Sequence, residues 1–422
     1  MSGRIENICM LSTHGYFDPV PELGKTDTGG QVLYVLQLAR SLAETGIGVD
    51  IYTRWFDRSK PQIDPLPGSP RVRVIRIPAG DWEFIPKERI YDVLPALAKN
   101  MIDFINKNGL SYDVYHGHYV DAGIVALDVA DAFSKPCFFT AHSLGAWKRE
   151  RVGGDPVEME AEFNFSKRIA EELRIFKSVN AQSITSIEER DKIAELYDFK
   201  PSRLEFIPPG VDVHEFRPLE RGEREEETAI DLPERYMFMV SRIASAKGHD
   251  LLLPAFARVS ERFPDLHAVI AGGTEDPDDE EVEVLSHISS FIEKHGLGDR
   301  VHAVGGIPHD DLPPYFRRAE FFVLPAKYEP FGMTALEAMS CAAPAVISTH
   351  AGIQENLNSG VDCLLVDPRS TESFAEAMCS LLRDSDLAAR LAAGGRETVL
   401  NKFSWQAIAE CYLAFYEMYL HV

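Results

Sequence analysis

The chain lacks any apolar run approaching the roughly 18 uninterrupted residues of a membrane-spanning helix, and its opening, MSGRIENICMLSTHGY, has no signal-peptide core. These absences lead us to expect a cytoplasmic protein with no stable membrane association. Cysteine is scarce. Cys9, Cys137, Cys341, Cys363, Cys379 and Cys411 are scattered without a CxxC pair, a pattern of reduced core thiols rather than of a disulfide framework or a zinc site. Positive charge is in deficit: 43 Lys and Arg stand against 66 Asp and Glu, a net charge of -23. That balance argues against nucleic acid and anionic membrane surfaces as partners. A G-x-G-x-x-G loop with an acidic residue about twenty positions on is also missing after the first strand, which disfavours a nicotinamide dinucleotide.

What is present reads as two similar α/β halves. At 422 residues, with 45% apolar and 26% charged residues, a soluble globular chain of two domains is expected. In the first half, the runs Ile5 to Leu11, Val49 to Thr53, Val72 to Ile77, Val114 to His116 and Cys137 to Thr140 read as strands between helical runs such as Val32 to Glu44. The second half starts at Tyr236 to Val240 and adds His267 to Ala271, Glu320 to Pro325 and Ala345 to Ser348. Short β-rich runs alternating with helical runs of about 10–15 residues indicate parallel, doubly wound sheets. Pro208-Pro209-Gly210-Val211 is the natural hinge, which places the domains at 1–208 and 209–403. Two such Rossmann-like domains facing across a cleft would bind ligands where the strand C-termini open into it.

Ala326 to Ser340, AKYEPFGMTALEAMS, carries the most chemistry. A strand with its breaker arrives first, Gly332 frees the backbone at a turn, and Met333 to Ser340 has helix-forming composition. Unpaired N–H groups at such a helix start, those of Gly332, Met333 and Thr334, are a seat for phosphate. Glu329 before the turn and Glu337 within the helix could grip hydroxyls on either side of it, and phosphate between two polyols describes a nucleotide sugar. The plainer reading is a helix start with two solvated glutamates.

Three further stretches bear on the same chemistry. Thr26-Asp27-Thr28-Gly29-Gly30-Gln31 lies between the first strand and first helix, where Gly30 lets backbone close on an anion. His142 and Ser143 follow the strand ending at Thr140, beside Lys148, Arg149 and Arg151, with Lys167, Arg168 and Arg174 on a later helical run and Lys87 after Pro86. In so acidic a chain this basic cluster stands out, although ion pairs to Glu171 and Glu172 would account for part of it. Arg242 and Lys247 follow the first strand of the second half, placed to neutralise a diphosphate.

DTGGQ, HSLG-x-x-K, SR-x4-KG and EPFG-x3-LEA, in this order across nearly the whole chain, resemble the retaining group-1 glycosyltransferases of the two-domain GT-B fold. Within that family, DTGGQVLYV, FIPKE, HSLGAWK and EFNFSKRIAEEL are similar to its sucrose-phosphate and mannosylfructose-phosphate synthases, and STHGY and YEPFGMTA lean toward the latter. The resemblance implies that Gly30 meets the donor diphosphate, with Gln31 and Ser143 on the acceptor side. It implies that His142 contacts the donor hexose, Arg242 and Lys247 hold the diphosphate, and Glu329 and Glu337 bind hexose and ribose hydroxyls. Lys87, Lys148 and Arg168 would hold the 6-phosphate of fructose 6-phosphate. The last helix, 404–422, would complete the N-terminal domain.

The expected reaction is same-face transfer from UDP-glucose or GDP-mannose to fructose 6-phosphate. The leaving phosphate would take the acceptor proton, so no dedicated base is required. No cofactor is expected, and turnover would be metal-independent or only stimulated by Mg2+; the acidic run Asp276 to Glu281 reads as an exposed loop rather than a metal site. A separate phosphatase would act on the product. A lipid-linked or polysaccharide acceptor would call for a more basic amphipathic helix than Ala96 to Asn108, and a non-catalytic sugar-nucleotide sensor could have lost some of these residues. Two departures from the family pattern are Ala351, where a Gly is usual, and Cys341-Ala342-Ala343-Pro344, where a small-Gly sequence is usual.

Overall fold

The computed structural model describes residues 4–21, 29–152, 154–224, 228, 231–274 and 277–420. The chain forms two compact units, 1–210 with 408–422, and 211–407. The breaks fall two and four residues later than the boundaries at 208 and 404 read from sequence.

The first unit is an eight-stranded sheet: β1 (Asn7–Leu11), β2 (Gly48–Trp55), β3 (Ile63–Leu66), β4 (Ser69–Pro78), β5 (Val114–His118), β6 (Cys137–Thr140), β7 (Ala181–Ile184) and β8 (Leu204–Phe206). Its order is β3-β4-β2-β1-β5-β6-β7-β8, parallel except for β3 against β4. The order reverses between β1 and β5, so the crevice for a ligand opens at their C-terminal ends. The parallel strands are buried on both faces, which is why Ile8 to Leu11 and Cys137 to Thr140 read as continuous apolar runs.

The last helix, Trp405–Tyr419, carries most of its length in this unit. Tyr412, Phe415 and Tyr416 are fully covered, and Phe138 packs edge-on to Phe415 and Tyr416. Buried phenols need polar partners. Tyr416 Oη lies 2.7 Å from His116 Nδ1, and Tyr412 Oη meets Ser183 Oγ at 3.0 Å and Tyr34 Oη at 2.8 Å.

The second unit is wholly parallel: β9 (Tyr236–Val240), β10 (His267–Ala271), β11 (Val301–Gly305), β12 (Phe321–Leu324), β13 (Ala345–Ser348) and β14 (Leu364–Val366), in the order β11-β10-β9-β12-β13-β14. Its reversal falls between β9 and β12, whose C-terminal ends carry Arg242 and Lys247 on one side and the 326–332 turn on the other. Among the described residues no helix is long and apolar enough to cross a membrane.

Candidate active site

In the second unit, the turn after β12 is held open by backbone lacing. Lys327 N–H donates to Ala246 C=O at 2.8 Å, Gly352 N–H to Glu329 C=O at 2.9 Å and Ile353 N–H to Phe331 C=O at 2.8 Å. Gly248 (φ 78°) presses so closely on this turn that an added Cβ would sit 2.1 Å from Pro325 O. Gly332 (φ 113°) starts the helix Met333–Ser340 with no side-chain cap. The first amides of a helix, here Met333 and Thr334, have no intrahelical acceptor.

Lys247 and Glu329, called from separate motifs, are joined here: Lys247 Nζ lies 2.6 Å from Glu329 Oε2. The lysine is buried and the glutamate half-buried, so the ammonium is fixed beside the helix start. Arg242 is exposed at the end of β9. Glu337 is 5% exposed. Its Oε1 is 3.0 Å from His309 Nε2, and its Oε2 is buried without a hydrogen-bond partner. That bond to Glu337 is the main reason the His309 imidazole is held above its ordinary range. Buried polar oxygens normally have partners, so Glu337 Oε2 is an acceptor in waiting.

In this region the close approach expected of a Gly pair occurs at Gly352 alone, where an added Cβ would sit 2.1 Å from Pro330 O. Ala351 has φ −90°, which any residue adopts. Residues 279–281, read from sequence as loop, are instead the first turn of the helix Asp279–His295. Asp278 caps it, and Glu281 accepts from Thr274 N–H at 2.7 Å; Asp276 lies outside the described residues. Among the described residues Glu215, His309 and Asp310 bring three donor atoms within 4.8 Å of one another.

In the first unit, Gly30 opens the helix Gly30–Glu44, and Gly29 caps it through backbone alone. Thr26, Asp27 and Thr28 of the same motif lie outside the described residues. Gln31 Nε2 donates to Ser12 Oγ and to His118 C=O, each at 3.1 Å. His142 has φ 57°, an uncommon conformation for a residue with a Cβ and one concentrated at functional sites. Its Nε2 is 2.9 Å from His118 Nδ1. Burial, with a smaller contribution from His14, holds the His142 imidazole down at about 3.

The basic cluster resolves into unlike members. Arg168 is 4% exposed. Its Nε donates to Glu172 Oε1 at 2.8 Å and its Nη2 to Ser143 C=O at 2.8 Å and Ser143 Oγ at 3.2 Å. Burial alone would lower this guanidinium, but Glu172 outweighs it and the net direction is upward. Glu172 also receives Gly145 N–H and the Tyr197 hydroxyl. Arg168 therefore fixes the 143–145 loop, and its pair with Glu172 is one of the ion pairs that the sequence allowed for this cluster. Lys148 Nζ lies 4.3 Å from the centroid of the Phe163 ring, and Lys87 is half-buried, 3.8 Å from Glu88. Lys167 and Arg174 pair with Glu171.

Sequence reasoning missed a buried constellation beside Gln31. His14 Nδ1 lies 2.9 Å from Asp121 Oδ1, and the Thr13 hydroxyl donates to Asp121 Oδ2. Burial would raise the Asp121 carboxyl, but His14 and Thr13 more than offset it and hold it below its ordinary value. The available signals were an aspartate, Asp121, opening the apolar first turns of the helix Val120–Ala132, and His116 and His118 two apart on β5.

Residues 220–398 match the family model described as glycosyl transferases group 1, and residues 28–215 match glycosyltransferase family 4. The chain is 37% identical to mannosylfructose-phosphate synthase of Agrobacterium fabrum over 419 residues, 98% of this chain and 92% of that protein. It is 32% identical over 424 residues to D-inositol 3-phosphate glycosyltransferase of Corynebacterium jeikeium, covering 97% and 96% of the two. Among solved structures, sucrose-phosphate synthase from Thermosynechococcus elongatus superimposes with a TM-score of 0.68 at 29% identity, over 98% of each chain.

Proposed function

The chain belongs to the group-1 glycosyltransferases of the GT-B fold, and from that premise we propose retaining hexosyl transfer from UDP-glucose or GDP-mannose to fructose 6-phosphate. The product would be sucrose 6-phosphate or mannosylfructose phosphate, left for a separate phosphatase. The observation that carries the donor half is the Lys247–Glu329 pair beside the uncapped helix start at Gly332, at the sheet's switch point. A fixed ammonium and outward amides suit a diphosphate whose charge grows as the anomeric C–O bond breaks.

Each residue then has a task. Arg242 and Lys247 take the departing diphosphate's charge, and Met333 and Thr334 offer it amides. Glu329 keeps Lys247 in place and reaches the hexose hydroxyls, and Glu337 Oε2 accepts from the ribose. On the other unit, Gly30 supplies an amide, His142 meets the hexose, Gln31 and Ser143 line the acceptor side, and Lys87 and Lys148 hold its phosphate. Arg168 shapes that pocket through Ser143. The leaving phosphate oxygen takes the acceptor's proton, and the protein's own cations replace any need for a metal.

A phosphorylated acceptor is supported by three relatives whose names all contain a phosphorylated polyol. Fructose 6-phosphate is favoured by the 37% identical synthase; inositol 3-phosphate is the second reading, favoured by the 32% identical one. The test is nucleotide release from each donor with fructose 6-phosphate, free fructose or inositol 3-phosphate. Release that requires fructose 6-phosphate supports the proposal and names the donor. Release with inositol 3-phosphate alone moves the assignment to the second reading, and equal release with free fructose removes the phosphate-binding role.

A further inference from the structure

We infer that His118 is a positioning residue that keeps the proton of His142 on Nδ1, so that His142 meets its ligand as a neutral hydrogen-bond donor. The two rings share one hydrogen bond, His118 Nδ1 to His142 Nε2 at 2.9 Å, and a single proton lies between them. The other nitrogen of His118, Nε2, is buried with no partner. A buried N–H without an acceptor is rarer and costlier than a lone pair without a donor. The proton of His118 therefore sits on Nδ1 and is donated to His142 Nε2. His142, neutral, then carries its own proton on Nδ1, which has no acceptor among the described residues.

The surroundings hold His118 in this orientation. Its ring lies on His116 with centroids 4.1 Å apart, and His116 is pinned between the Tyr416 hydroxyl and Thr140 Oγ1. Gln31 Nε2 holds the backbone carbonyl of His118, and Tyr34 stands edge-on to His142 at 4.9 Å. Burial keeps all three imidazoles neutral. The left-handed backbone at His142 supplies the remaining constraint. The group presented is thus an N–H suited to an alcohol oxygen. Resting on the reading of His142 as a sugar contact, that oxygen is a hydroxyl of the donor hexose.

Nitrogen-15 spectra of histidine-labelled protein distinguish the two tautomers, with the His142 signals assigned by their loss in His142→Gln. The expected result is Nδ1–H on both His118 and His142. A proton on Nε2 of His142, or a doubly protonated ring at pH 7, overturns the inference. Kinetics give an independent reading. His118→Ala should lower kcat by about tenfold. His118→Asn, whose amide nitrogen replaces Nδ1–H, should restore it to near the wild-type value; equal loss in both variants would sink the positioning role. If the wild-type protein transfers no hexose to either phosphorylated acceptor, the proposed function fails while the spectra still decide the tautomer.

Discussion

Lys148 and Arg168 are alike as sequence, two cations of one basic cluster, and their surroundings separate them. Lys148 is half-buried over an aromatic ring, whereas Arg168 is enclosed with Glu172 and the Ser143 carbonyl. Lys148→Ala should raise the KM for fructose 6-phosphate several-fold with the donor KM and the urea midpoint unchanged. Arg168→Ala should destabilise the protein by about 3–5 kcal/mol, because it strands a buried carboxylate. Denaturation curves and acceptor kinetics on both variants check this, and a fully stable Arg168→Ala with only acceptor KM raised would return Arg168 to direct phosphate binding.

Glu189 makes a second prediction at this scale. Burial lifts its carboxyl to about 7, although Thr185 N–H and Oγ1 donate to Oε2, and its Oε1 is buried without a partner. Between its ordinary value of 4.5 and about 7, the folded state keeps a proton that the unfolded chain has lost. Stability therefore falls as pH rises through that window, and the loss is complete above it. Glu189→Gln should gain on the wild type by about 1–3 kcal/mol on going from pH 5 to pH 8. Parallel pH profiles in urea denaturation would show that the carboxyl titrates normally.

At the scale of elements, local pattern was legible where local physics decides. Cys137–Thr140, Tyr236–Val240, His267–Ala271, Ala345–Ser348, Met333–Ser340 and Trp405–Tyr419 all fall where their runs place them. The strands β3, β7, β8, β11 and β14 were not read. In β7 the reason is visible: Gln182 and Ser183 are polar yet buried, and Ser183 Oγ is paired with Tyr412 Oη from the far end of the chain.

The helix Met333–Ser340 ends with Ala342 in the left-handed region, φ 60°, its N–H on Met339 C=O and that of Ala343 on Ala338 C=O. A glycine adopts that conformation without the Cβ penalty. Ala342→Gly should stabilise the protein by about 0.5–1 kcal/mol, read as a rise in Tm with kcat unchanged. A fall in Tm would mean that the alanine methyl contributes more packing than the backbone loses.

At the scale of the whole molecule, a chain of net charge -23 puts Arg242 and Lys247 together at the C-terminal ends of one sheet. Proposed catalysis by these cations alone has a direct consequence. Transfer should persist at full rate in excess chelator, with at most a modest stimulation by Mg2+. Activity abolished by chelator and recovered on adding a divalent ion would refute the metal-independent reading and direct attention to Glu215, His309 and Asp310.

Sequence by itself determined the α/β class, the two halves, the Gly turn before Met333 and the order of the motifs, because strand and helix periods and glycine's freedom are local properties of the chain. It also marked Glu329, Glu337, Lys247 and His142 as chemistry-bearing. Tertiary structure alone decided what each faces. Lys247 and Glu329 meet across 82 positions, His14 and Asp121 across 107, and His118 and His142 across 24. Ser143, 25 positions away, and Glu172, one helical turn on, together make Arg168 the clamp of the 143–145 loop. Pairing and desolvation depend on which strands lie side by side, and no local pattern encodes that.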